Sequence, residues 1–180
     1  PTPPPTATAT PSPSPTATAS PRPSATPSPS PSPTAVIGDV MINEILADVP
    51  PYADVNGDGI ARTWEAEFVE MVNWTGHTVN LGGCILSDSY ADRFTFPQPF
   101  YVSPGQAVVV FGGGTPTGEF GGALVATVGI GYGLSLTNGG DTVTLRAGEE
   151  VYDSVTYGEE GGYDESLNRS PEIRGPFFGH

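Results

Sequence analysis

Leu136-Thr137-Asn138-Gly139-Gly140-Asp141-Thr142-Val143-Thr144-Leu145-Arg146-Ala147-Gly148-Glu149-Glu150-Val151-Tyr152-Asp153-Ser154-Val155-Thr156-Tyr157 is the stretch that decides the fold class. It holds two runs rich in Val, Thr, Leu and Tyr, Asp141–Arg146 and Val151–Tyr157. Such side chains fit a pleated, half-buried surface. Asn138-Gly139-Gly140 precedes the first run and Ala147-Gly148 follows it. Glycine supplies the positive φ that tight turns require. The stretch therefore predicts two strands joined by a short turn.

The same pattern extends toward the N-terminus. Candidate strands are Val40–Leu46, Glu67–Trp74, Cys84–Ser87, Arg93–Phe96, Ala107–Phe111 and Ala123–Val128. Turn signals separate them: Trp74-Thr75-Gly76, Ser103-Pro104-Gly105 and Gly112-Gly113-Gly114. No segment carries the 3.6-residue apolar period of a helix. Strands at this spacing predict an all-β domain, an antiparallel sandwich or a Greek-key barrel, over residues 36–180. The Gly-rich, acidic segment Gly158–His180 turns apolar at Ile173 and Phe177-Phe178. It reads as a surface connection that ends by docking its aromatics on the sandwich.

Residues 1–35 are of another kind. Before Val36 the chain holds only Pro, Ser, Thr, Ala and Arg22. Such a segment cannot bury enough surface to offset its ordering entropy. It reads as a disordered or polyproline-II stalk, reaching roughly 100 Å at about 3.1 Å per residue. Its Ser and Thr beside Pro are the kind that carry sugars in mucin-like stalks.

The chain of 180 residues carries a formal net charge of −14 and no Lys. With Arg22 in the stalk, five Arg face twenty acidic residues in the remainder, a charge of −15. Phosphate binding needs clustered cations, so a nucleic-acid or anionic-lipid partner is not expected. A single cysteine, Cys84, rules out a disulfide within the chain. It sits in the apolar run Cys84-Ile85-Leu86 and reads as a small core residue. No apolar stretch reaches membrane-spanning length. The chain starts at Pro1 without a basic-then-apolar leader, which reads as a processed chain or a piece of a longer one. The expected location is extracellular or at the cell surface.

The strongest motif is Asp54-Val55-Asn56-Gly57-Asp58-Gly59-Ile60, with Glu65 downstream. It fits the twelve-residue calcium loop D-x-N-x-D-G-x₅-E. Ca²⁺ takes six to eight oxygens at about 2.3–2.6 Å. The spacing places Asp54, Asn56 and Asp58 on one inner side. Gly59 permits the sharp turn, Ile60 offers its backbone carbonyl, and Glu65 closes the site. Arg62, at position nine, cannot be a ligand, and water fills that place. Asp48 and Glu67 are nearby carboxylates able to replace or supplement Glu65. The loop lies between two predicted strands, so this is a calcium loop outside an EF-hand, with a structural role.

Three stretches together carry a family resemblance. They are Val40-Met41-Ile42-Asn43-Glu44-Ile45-Leu46; Glu67-Phe68-Val69-Glu70-Met71-Val72-Asn73 with Val79-Asn80-Leu81-Gly82-Gly83-Cys84-Ile85-Leu86-Ser87-Asp88; and Leu136 through Leu145 continuing to Tyr152–Gly158. The chain resembles the lamin tail domain in its bacterial extracellular form, over about residues 38–180. The resemblance implies an immunoglobulin-like β-sandwich. Bacterial members often carry an Asp/Asn/Gly loop between the first two strands. Where such a module usually has Trp-Xaa-Leu-Ser-Asp, this chain has Cys84-Ile85-Leu86-Ser87-Asp88. The swap of an aromatic for a small residue bears on local packing. In animals the domain ends a nuclear filament protein; in bacteria it is appended to secreted hydrolases and surface proteins.

The residues offer little for catalysis. His77 lies in a turn and His180 is terminal, neither in a nucleophile motif. Glu44 and Glu70 could form a carboxylate pair, but read as outward-facing strand residues or support for the metal loop. Glu149, Glu150, Asp153, Glu159, Glu160, Asp164 and Glu165 read as a solvated acidic face. Two sequons, Asn73-Trp74-Thr75 and Asn168-Arg169-Ser170, matter only in a cell with the matching machinery. Two non-enzymatic functions stay open. One is a calcium-stabilised structural or adhesive module, a subunit of a cell-surface filament that self-associates through the stalk or a sheet edge. The other is an accessory module of a secreted hydrolase joined through the Pro-rich linker.

Overall fold

A computed structural model describes Thr2, Ala35 and residues 38–179, apart from Ile130, Glu172 and Ile173. The chain divides into two units, Pro1–Ser30 and Pro31–His180. Of the expected stalk, residues 1–35, only Thr2 and Ala35 are among the described residues; the rest, with its expected sugars, lies outside them. Ala35 is buried, and its N–H donates to the Asn80 carbonyl at 3.3 Å. Ile173 and His180 also lie outside the described residues.

In chain order the elements are β1 (Val40–Leu46), α1 (Thr63–Ala66), β2 (Phe68–Asn73), β3 (Val79–Asn80), β4 (Ile85–Ser87), β5 (Asp92–Thr95) and β6 (Tyr101–Val102). Next come β7 (Ala107–Phe111), β8 (Leu124–Thr127), β9 (Asp141–Ala147), β10 (Glu150–Tyr157), β11 (Leu167–Arg169) and β12 (Phe177–Gly179). Every strand expected from the sequence is present, with ends moved by a residue or so. A six-stranded sheet runs β12-β11-β1-β2-β7-β8 and a four-stranded sheet runs β10-β9-β4-β5. The short strands β3 and β6 form a separate ribbon. The pairings are antiparallel except β7 with β8, which run parallel. This is an immunoglobulin-like β-sandwich.

Alternation builds the core. Val69 and Met71 of β2, Val108 and Val110 of β7, and Val143 and Leu145 of β9 all face inward and are buried together. Strand β1 would lose this face after Ile42, because Ile45 stands three positions on. A bulge between Ile42 and Glu44 resets the pleat, so both isoleucines reach the core. Asn43, at the bulge, donates its side-chain N–H to Glu70 Oε1 at 2.9 Å. A second bulge, between Val151 and Asp153 of β10, likewise brings Tyr152 and Val155 inward together. Phe96 is buried between Phe94 and Phe100, with ring centroids 4.9 and 5.0 Å away in edge-to-face contact. Such a contact adds about 1 kcal/mol beyond the area buried.

Two readings of the acidic C-terminal third change. Asp153 does not belong to a solvated face. Its Oδ2 accepts the Ile42 N–H at 2.8 Å and pairs with Arg169 Nη2 at 3.0 Å. The β10 bulge turns it between the sheets, where both side chains are only 12–13% exposed. The aromatic pair at the end divides. Phe177 packs on the core with Arg169 4.9 Å above its ring, whereas Phe178 is exposed on the sheet's outermost strand. Among the described residues, no helix is long and apolar enough to cross a membrane.

Candidate metal centre

The loop between β1 and α1 closes on itself through its own carboxylates. Asp54 Oδ1 accepts the Asp58 N–H at 3.1 Å, and Oδ2 accepts the Gly59 N–H at 2.8 Å. Asp58 Oδ1 accepts the Ile60 N–H at 2.9 Å. These are local bonds, two to five residues apart, of the kind Asp and Asn form with their own backbone. They explain why the spacing was legible.

A second, distant segment completes the loop. Asn56 is 0% exposed, and its side-chain N–H donates to the Gly113 carbonyl at 3.2 Å. Its second contact is Asp58 Oδ2, at 3.4 Å. Asp58 Oδ2 also accepts the Thr115 N–H at 3.1 Å. Thr117 N–H donates to the Asn56 carbonyl at 2.9 Å, and the Thr117 hydroxyl to the Gly57 carbonyl. The turn that leaves β7 is thus the floor of the loop. Gly114, at φ +75°, has no space for a side chain, because a Cβ there would collide with the Asp58 carboxylate and the Asn56 amide.

Of the five predicted ligands, the structure gathers Asp54, Asn56 and Asp58. The Ile60 carbonyl accepts the Arg62 N–H at 3.0 Å. Glu65 lies on α1, and its side chain turns to a different partner: Oε1 pairs with Arg62 Nη1 at 2.9 Å. Its Oε2 is buried and has no hydrogen-bond partner. Glu65 is still close to the loop's floor. Its carbonyl accepts the Gly113 N–H at 3.0 Å, and its Cγ stands 3.1 Å from where a Cβ on Gly113 would lie. The two alternatives are engaged elsewhere. Asp48 accepts from the Asn138 amide, and Glu67 Oε2 accepts the Leu136 N–H at 3.1 Å. Among the described residues, no three His, Cys, Asp or Glu side chains cluster as a metal site, so Glu65 does not join Asp54 and Asp58 in one group. The donors gathered at the loop are the Asp54 and Asp58 carboxylates, the Asn56 amide and backbone carbonyls. Oxygen donors of this kind fit a hard cation such as Ca²⁺.

With the sandwich and its loop in place, the family model described as Lamin Tail Domain matches residues 33–159, most of the chain. The chain belongs to the lamin tail domain family. The family is one of non-catalytic, immunoglobulin-like modules. A comparison with curated proteins gives no match.

Other candidate residues of this lamin tail domain have plainer surroundings. Cys84 is buried, and burial pushes its thiol up to about 11. His77 is exposed in its turn, with Nε2 3.8 Å from Asp39 Oδ2. Glu44 and Glu70 are register partners across β1 and β2 and line a shallow cavity with Val55, Phe68, Phe111 and Phe120. Asn73 of the first sequon is fully buried; its amide donates to the His77, Val102 and Ser103 carbonyls, so a glycan has no access to it. Asn168 of the second is half-buried and donates to Ser166 Oγ at 2.9 Å. Sequence reasoning missed the role of Glu67 as a cavity wall. It is 9% exposed, and burial pushes its carboxyl up to about 7 against the bonds from Leu136 and Ser135 and the charge of Arg93. A Glu opening a predicted strand carries no mark of this, because the burial comes from the distant 131–136 segment.

Proposed function

We propose that this lamin tail domain is a non-enzymatic, calcium-braced structural or adhesive module of the extracellular space. Ca²⁺ occupies the loop held by Asp54, Asn56, Asp58 and the Ile60 carbonyl, with Glu65 closing it. The observation that carries the reading is Glu65 Oε2, a buried carboxylate oxygen without a partner, on a residue whose backbone carbonyl is bonded to Gly113 in the floor of the loop. A buried oxygen of this kind loses its water and gains nothing in return, unless an ion or a donor reaches it. Calcium would also relieve the repulsion between Asp54 and Asp58 and tie β1, α1 and the β7 exit together. Nothing in that role calls for a reaction, and the brace is structural.

The self-association part of the proposal rests on the sheet edges. Strands β8 and β12 end the six-stranded sheet, and Val125 and Phe178 are exposed on them. An open edge accepts a strand from a neighbour. Subunits joined in this way, with the stalk as spacer, form a cell-surface filament.

Calorimetric titration and thermal melting test the brace. At a hundredfold excess over Kd, Ca²⁺ should add about 2.7 kcal/mol, raising Tm by roughly 8 °C. Asp54→Asn with Asp58→Asn should remove both the heat of binding and the shift. A shift that survives the double substitution overturns the site. Electron microscopy in calcium tests assembly, and only monomers at high concentration would overturn the filament.

A further inference from the structure

A cavity of about 440 Å³ opens beside α1, lined by Trp64, Glu67, Gly131, Tyr132, Ser135 and Leu136. None of the five residues assigned to calcium lines it.

The cavity is built rather than incidental. Trp64 is set down on glycines. A Cβ on Gly112 would collide with the Trp64 carbonyl, one on Gly133 would stand 2.7 Å from the same oxygen, and one on Gly113 would meet the indole Cζ3 at 3.2 Å. Gly112 and Gly133 thus seat the Trp64 backbone and Gly113 meets one edge of its ring, while Trp64 remains 37% exposed and Tyr132 86% exposed. Glu67 shares the lining with them and is nine-tenths buried. Its orientation is set by the Leu136 N–H at 3.1 Å. None of the ion pairs among the described residues includes it, and the Arg93 charge that acts on it is itself paired with Asp88.

Elimination narrows the ligand. An anion would face Glu67 in a chain of net charge −14. A purely apolar ligand would cover the carboxylate without pairing it, which is costly. A sugar could bond to Glu67, Ser135 and the aromatic N–H and O–H groups of the described lining, but it brings no charge to meet the carboxylate. A cation with an apolar skin satisfies all the walls at once. Aromatic rings attract it through their quadrupole, and the carboxylate supplies the counter-charge.

We propose that this cavity binds an alkylammonium group, held against Trp64 and Tyr132 with Glu67 as its counter-ion. The group comes either from a small quaternary amine or from a lysine side chain of a protein partner.

The test uses the full chain, ¹⁵N-labelled, at pH 8. The two indole N–H resonances are followed during titration with choline, with Nα-acetyl-lysinamide, and with 3,3-dimethyl-1-butanol, the neutral isostere of choline. The Trp64 resonance, assigned with Trp64→Phe, should shift saturably with a cation while that of Trp74 stays in place. Tighter choline binding assigns a small amine; tighter acetyl-lysinamide binding assigns a side chain. Glu67→Gln and Tyr132→Ala should each weaken the cation roughly tenfold. Tyr132 is exposed, so its variant keeps the fold even if Glu67→Gln does not. An equal response to the neutral isostere, or none to either cation at tens of millimolar, overturns the proposal.

Discussion

The Asn56 side-chain amide donates to the Gly113 carbonyl at 3.2 Å, across 57 positions of the sequence. Through this bond the β1–α1 loop and the exit of β7 become one structure. Asn56 cannot turn outward without leaving a buried amide unpaired, which costs roughly 1–3 kcal/mol. The bond also fixes the middle residue of the proposed calcium loop.

That union makes Gly114 sensitive. Gly114→Ala sets a methyl group against Asp58 and Asn56 at a φ of +75°. A loss of roughly 2 kcal/mol is expected in urea denaturation, with a weaker response to calcium. Gly59→Ala is the matched comparison. Its φ is +85°, but no atom lies within 4 Å of the added Cβ. It should cost about 1 kcal/mol from backbone strain alone. Equal costs at the two positions would contradict the collision at Gly114.

Asp153→Ala should be among the most damaging changes. It strips the Ile42 N–H of its acceptor and leaves the Arg169 guanidinium without its carboxylate. Removing one partner of such a largely buried, hydrogen-bonded pair costs roughly 2–3 kcal/mol. A double-mutant cycle with Arg169→Met measures the coupling. A value below about 0.5 kcal/mol would place the two residues outside mutual contact.

Cys84 should be inert while the domain is folded. Its thiol is buried and pushed up to about 11, and the thiolate is the reactive form. Ellman's reagent should label it only in denaturant. Full labelling of the native chain, at the rate of an unfolded control, is the outcome that would sink this.

Acid should weaken the domain partly through Asp141. Burial pushes this carboxyl up, but the bonds from the Ser89 hydroxyl and N–H and from the Thr142 and Thr137 N–H groups outweigh it and hold it below the ordinary 3.8. Because the folded value lies below the unfolded one, the contribution is present above 3.8 and lost as pH falls through the lower folded value. Asp141→Asn should therefore be less stable than the parent at neutral pH. The difference should narrow between about pH 5 and pH 2, read from urea midpoints. A gap that is constant across that range would exclude the carboxylate as its source.

Much of the fold was legible because its signals are local. Val40–Leu46 and Ala107–Phe111 have the same ends in sequence and structure, since β-branched runs bounded by turn residues leave little choice. Strands β3, β6, β11 and β12 were missed. Leu167–Arg169 holds one apolar residue in three, and only its place beside β1, with Leu167 opposite Ile45, makes it a strand. Single-turn α1 was missed as well, because four residues are too few to show a helical period.

The sequence by itself determined that this chain is all-β, that it carries an acidic Asp/Asn/Gly loop, and that its cysteine has no disulfide partner within these 180 residues. Each of these comes from composition or from bonds that span a few residues. Tertiary structure alone decided that Gly113–Thr117 forms the floor of that loop, that Asp153 lies between the sheets, and that Trp64, Glu67 and Tyr132 share a cavity. Those outcomes depend on which distant segments meet when the core closes, and backbone groups that donate or accept across 50 or 100 positions leave no mark in the residues between them.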